Sequence, residues 1–163
     1  MIEFTIVYDN NPDDRRLTTK WGFACLVEQP ERTVLFDTGG DGPTLLANME
    51  ILGKDPAEID LIIFSHEHGD HTGGLGRLLE TVLEAGVQPE VYVPAVFPNA
   101  FKDRIKAVTP MVEVTDPQEI RPGLWSTGQV KGPVTEQAAA FQTAEGWVVV
   151  TGCAHPGVEA MTE

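Results

Sequence analysis

The chain reads as an α+β protein, with mixed β-sheets and helices packed outside them. Three observations predict this. Short runs rich in β-branched and aromatic residues recur along the sequence, the first of them follow one another like hairpin strands, and the later ones alternate with helical stretches. With 163 residues, 42% of them hydrophobic and 22% charged, residues 1–163 are expected to form a single domain with one sizeable core.

Seven segments carry strand character: IEFTIVY (2–8), FACLVE (23–28), TVLFD (33–37), DLIIF (60–64), EVYVP (90–94), QAAAFQT (137–143) and GWVVVTG (146–152). Between them, Gly42-Pro43 opens a helix that Gly53 stops, since proline suits a first helical position. Asp55 reads as an N-cap before a short turn of helix, with Glu58 three residues on. Over residues 73–86, Leu75, Leu78, Leu79, Val82 and Leu83 share one face and Gly86 ends the helix. Residues 94–135 are rich in proline and glycine with weak periodicity, and no element is assigned there. Trp21, Trp125 and Trp147 are expected to be packing residues, Cys25 a buried core thiol, and the runs Asp13-Asp14-Arg15-Arg16 and Lys102-Asp103-Arg104 solvated faces.

Charge narrows the partners. A net charge of −14, from 25 acids against 11 bases, repels phosphate backbones and anionic bilayers, so neither nucleic acid nor membrane is expected to bind. The N-terminus lacks the basic-then-apolar order of a secretory signal, and no apolar run reaches membrane-span length. Two cysteines make no disulfide framework, and a cytoplasmic setting is expected.

The chemistry concentrates in LIIFSHEHGDHTGG (61–74), which holds three of the chain's four histidines. In extended backbone His66 and His68, two apart, project to the same side, Gly69 lets the chain turn, and Asp70 and His71 then address a second point. One histidine beside an apolar strand is more often a hydrogen-bonded core residue than a ligand. Three with an aspartate, in H-x-H-x-D-H order, point to one or two metal ions, because burying them without a cation carries a desolvation cost. Zinc takes such ligands readily, and iron or manganese accepts the same set. An open coordination position lowers the pKa of bound water to about 7.

With TVLFDTGG (33–40) upstream of SHEHGDHTGG, the chain resembles the metallo-β-lactamase superfamily over most of its length. VYDNNP, WGFACLVE, TEQAAAF and VVVTGCAHPGV are similar to the branch labelled 7,8-dihydropterin-6-yl-methyl-4-(β-D-ribofuranosyl)aminobenzene-5′-phosphate synthase. The resemblance implies an αββα sandwich with metals at one sheet edge. It implies His66 and His68 on a first metal, Asp70 and His71 on a second, and Asp37 in the catalytic set as the residue that orients a ligand or water. Without the histidine motif, Asp37 reads equally as a turn former. His155 is expected to be a ligand or to contact substrate. Cys153, in the slot where many members carry a bridging aspartate, is either a ligand or a structural thiol.

Two departures from the family pattern stand out. KGPVTEQ (131–137) lacks the loop histidine usual before the last strand, and no histidine follows His155. The last strand and helix of the sandwich are therefore expected to be missing, with a homo-oligomer completing or covering that edge. The leading expectation is a hydrolase that uses metal-activated water on a small-molecule phosphoester, ester or lactone, with Asp70 holding the nucleophile. A helix starting at Thr72-Gly73-Gly74 would favour phosphate through its free N–H groups. The alternatives are an iron-dependent oxidoreductase acting on persulfide, oxygen or nitric oxide, or a non-catalytic shortened domain that oligomerises.

Overall fold

The computed structural model describes residues 1–11 and 13–162; Pro12, which ends the VYDNNP motif, and Glu163 lie outside the described residues. The elements run β1 (Glu3–Tyr8), β2 (Ala24–Gln29), β3 (Arg32–Phe36), α1 (Gly42–Ile51), a 3-10 turn (Pro56–Glu58), β4 (Leu61–Ile63), α2 (Gly69–Thr72), α3 (Leu75–Glu84), β5 (Glu90–Pro94), α4 (Asn99–Lys106), β6 (Met111–Val114), β7 (Gln118–Arg121), β8 (Leu124–Ser126), β9 (Ala139–Thr143), β10 (Gly146–Val150) and α5 (Val158–Thr162).

One sheet has the order β1-β2-β3-β4-β5-β6 and the other β10-β9-β8-β7. β1, β2 and β3 pair antiparallel as hairpin neighbours, with Gln29 opposite Arg32 at the β2–β3 turn. From β3 to β6 the pairing is parallel, which requires crossovers, and α1, α3 and α4 supply them. The second sheet is antiparallel throughout.

Period-two alternation along β3 divides the core. Leu35 joins Leu26, Ile62 and Val91 under Leu45, Met49, Leu78 and Val82 of the helices. Its neighbours Val34 and Phe36 face the other way and meet Leu124, Ala139 and Phe141 of the second sheet. The α+β sandwich predicted from the sequence is therefore present, with helices on the outer face of the larger sheet. Its parallel strands β3 and β4 deliver DTGG and SHEHGDH to the same edge, the carboxyl ends where α/β sheets place ligands.

Several expectations are corrected. The helix expected to start at Thr72-Gly73-Gly74 starts at Leu75, and the segment before it forms the separate four-residue helix α2. The unassigned stretch 94–135 holds α4, β6, β7 and β8. Trp21, Trp125 and Trp147 are 75%, 40% and 52% exposed, so none is a core packing residue; Trp21 lies in a loop, Trp125 on the interior strand β8 and Trp147 on the edge strand β10. Lys102 leaves the solvated face to which its charge assigned it. It is buried, donating to Glu113 Oε2 (2.7 Å) and the Ala95 carbonyl (3.0 Å), which compensates its charge. Cys25 is buried as expected, and desolvation raises its pKa to about 11.

Candidate metal centre

The foundation is Asp37, fully buried at the end of β3 with a left-handed φ of 58°. Its Oδ1 accepts the Ser65 N–H (2.8 Å), and its Oδ2 accepts the Ser65 hydroxyl (2.6 Å) and lies 2.7 Å from His71 Nδ1. Burial raises the Asp37 pKa, and the His71 and Ser65 bonds oppose that rise. Because Ser65 gives its hydrogen to Asp37, its oxygen accepts from His66 Nδ1, 2.8 Å away. Asp37 and Ser65 thus place the N–H of both His66 and His71 on Nδ1, leaving each Nε2 with a lone pair.

Those lone pairs face other ligand-type atoms. His66 Nε2 lies 3.1 Å from His68 Nδ1, and His71 Nε2 lies 3.2 Å from Cys153 Sγ. Two triplets of ligand atoms converge to within 4.8 Å of one another: His66, His68 and His155, and His66, His71 and Cys153. The sequence placed His66 and His68 together, and they are. It paired Asp70 with His71, and Asp70 Oδ2 stands 3.5 Å from His71 Nε2 at the side of the second triplet. His155 and Cys153, from the turn after β10, both reach the cluster.

The electrostatics suit a cation. Desolvation, aided by the neighbouring imidazoles of His71, His68 and His155, pushes the His66 pKa down to about 3, so the ring stays neutral. Burial disfavours a charged His71, but Asp37, with Asp70 and Glu136 farther off, outweighs it and raises that pKa. Desolvation of the Cys153 sulfur and the carboxylates of Glu136, Asp70 and Asp37 push its thiol up, so a thiolate there calls for a positive ion beside it. The His155 Nε2 atom is buried and has no hydrogen-bond partner among the described residues. Such a group costs free energy unless an ion takes its lone pair. Imidazole and thiol donors fit zinc, and the residues present fit the group that the motif implies.

Backbone packing holds the parts together. Thr38 N–H and Oγ1 donate to the His71 carbonyl (2.8 and 3.0 Å), tying DTGG to α2. A Cβ at Gly73 would strike the Gly40 carbonyl and one at Gly74 the Thr38 carbonyl, so the two glycine pairs permit a close approach. Gly69, read from the sequence as the turning residue, has ordinary backbone and open space around it; it starts α2. The anion site expected at the helix start is absent at Gly73 and Gly74, whose N–H groups donate to the Gly69 and Gly39 carbonyls (2.8 and 3.0 Å). Sequence reading missed Ser65, which adjoins the motif, and Glu136. KGPVTEQ holds no histidine, yet the Glu136 carboxylate within it reaches the site.

This edge-mounted cluster of imidazoles over a buried aspartate agrees with the profile of the metallo-beta-lactamase superfamily, which residues 22–157 match; the chain belongs to that superfamily. It is 26% identical over 174 residues to the 7,8-dihydropterin-6-methyl-4-(beta-D-ribofuranosyl)-aminobenzene-5'-phosphate synthase of Methanocaldococcus jannaschii, covering 82% of this chain and 59% of that protein. The chain therefore spans about three fifths of that relative's length. In structure it is similar to Tm1679, a metal-dependent hydrolase of the beta-lactamase superfamily, with a TM-score of 0.77 at 23% identity over 99% of this chain and 70% of that one. It is also similar to a quorum-quenching N-acyl homoserine lactone lactonase, with a TM-score of 0.60 at 20% identity over 91% and 71% of the two chains.

Proposed function

We propose that the chain forms the metal-binding part of a hydrolase that acts on a small phosphoester, ester or lactone. The observation that carries this reading is the orphaned His155 Nε2 beside the presented lone pairs of His66 and His71. In this reading His66, His68 and His155 hold one ion, and His71, Cys153 and Asp70 hold a second, with zinc favoured by the nitrogen and sulfur donors. When bound, the ions would supply Lewis-acid polarisation of a substrate oxygen and an activated water near neutral pH. Asp70, the acceptor beside the cluster, would orient a water there; Asp37, fully buried, acts only by fixing Ser65 and His71. The metal-dependent hydrolase and lactonase among the structural relatives support this class of reaction.

The test is zinc-loaded protein assayed on p-nitrophenyl phosphate, its bis-ester and an N-acyl homoserine lactone. We expect turnover of at least one substrate, abolished by His66→Ala and strongly reduced by Asp70→Asn. Activity unchanged in both variants would contradict the proposal.

We also propose self-association through β10. Gln142 gives its N–H to Gly123 on the β8 side, so its register partner Trp147 turns its own N–H and C=O to the free edge. The strand, GWVVV, carries neither charge nor proline, the usual protections of an open edge, and so matches a second copy of itself.

A further inference from the structure

We propose that Glu136 is a positioning residue which locks the turn carrying Cys153 and His155 against His66 and raises the cation affinity of the cluster; the inference rests on the metal-binding reading above. Glu136 is fully buried. Its Oε2 accepts the Ala154 N–H and its Oε1 the His155 N–H, each at 3.0 Å. Both bonds fall on one turn, whose Ala154 holds a left-handed φ of 51° that a side-chain-bearing residue adopts only when its surroundings enforce it. The clamp is itself fixed, because Glu136 exchanges both backbone hydrogen bonds with Val130 (2.7 and 3.1 Å). Pro156, on the same turn, packs where Gly132 leaves no room for a side chain.

Anchoring alone does not explain the charge. Among the described residues no lysine or arginine pairs with Glu136, and its Oε1 lies 3.7 Å from His66 Nδ1 and 3.8 Å from His155 Nε2. A buried carboxylate with only two backbone donors is costly, and a cation among those imidazoles offsets the cost. Two adjacent N–H groups also need two acceptor oxygens. A glutamine offers one, and turns an NH2 group on the other donor. The turn lies far in sequence from the histidine motif; Gly152 packs against Ser65 at its start, and the clamp fixes the backbone of the two residues that follow Cys153.

The test compares wild type with Glu136→Gln and Glu136→Asp. In metal-free protein, NMR-detected amide hydrogen exchange at Ala154 and His155 is expected to accelerate at least tenfold in Glu136→Gln, with β4 and β9 amides unchanged. Zinc affinity, read by chelator competition, is expected to weaken about 10- to 100-fold, the usual effect of losing a group that orients metal ligands. Glu136→Asp, which keeps the charge one methylene farther back, is expected to fall between the two in zinc affinity. That grading would not arise from a merely steric role. Unaltered exchange in Glu136→Gln overturns the lock whether or not metal binds, and equal zinc affinity in all three proteins overturns the electrostatic role. A wild-type chain that takes up no zinc overturns the metal reading of the site itself, while the exchange data still score the lock.

Discussion

At the scale of single residues, Asp37 decides how the imidazoles present themselves. Asparagine there would put an NH2 group where Oδ2 now accepts from Ser65 and faces His71 Nδ1, forcing both rings towards the other tautomer. We expect Asp37→Asn to weaken zinc binding about 10- to 100-fold in a competition titration while leaving the sheets intact by circular dichroism. His66 sets a pH dependence. Its pKa of about 3 in the fold lies below the ordinary 6.5, so on acidification the unfolded chain takes up this proton well before the folded one does. The metal-free fold therefore loses stability from this group as pH falls from about 6.5 towards 3. His71, shifted upward, gains its stability at higher pH, as pH falls towards 6.5, and adds a constant contribution below that, so it does not mask the loss from His66. The isolating measurement is the difference in Tm between wild type and His66→Gln: it should shrink on acidification, and a constant difference would contradict the assignment.

At the scale of elements, α3 and the glycine pairs perform separable tasks. Leu78 is fully buried among Leu45, Met49 and Val82, so Leu78→Ala should cost about 2–5 kcal/mol in denaturant unfolding without changing metal stoichiometry. Gly74→Ala would drive a methyl into the Thr38 carbonyl, so it should lower zinc affinity as well as stability. The contrast between these elements also explains what the sequence reveals. α3 was legible because Leu75, Leu78, Leu79 and Val82 repeat with the helical period and are the residues it buries. α2 was not, since four residues show no period; nor were β6, β7 and β8, where MVEV, QEIR and LWS are short and alternate weakly. The polar helix α4, NAFKDRIK, hides its purpose because Lys102 turns inward to Glu113.

At the scale of the whole molecule, the legible part of the site is the part that is contiguous in the chain. HEHGDH announces itself by spacing and DTGG through the family resemblance, and parallel pairing of β3 with β4 brings them together. What the sequence leaves open depends on contacts between distant segments. Cys153 meets His71 across 82 positions, and Glu136 reaches Ala154 across 18, so neither role has a local pattern to betray it. The uncharged edge of β10 carries a prediction at this scale: sedimentation velocity should show a weight-average coefficient that rises with concentration, and Trp147→Lys should suppress the rise. A concentration-independent monomer would count against association. The most direct test of the central claim is elemental analysis of protein purified without added metal, repeated after incubation with excess zinc. The account predicts one or two ions retained per chain and their loss in His66→Ala; a wild-type chain that retains none after both treatments would contradict it.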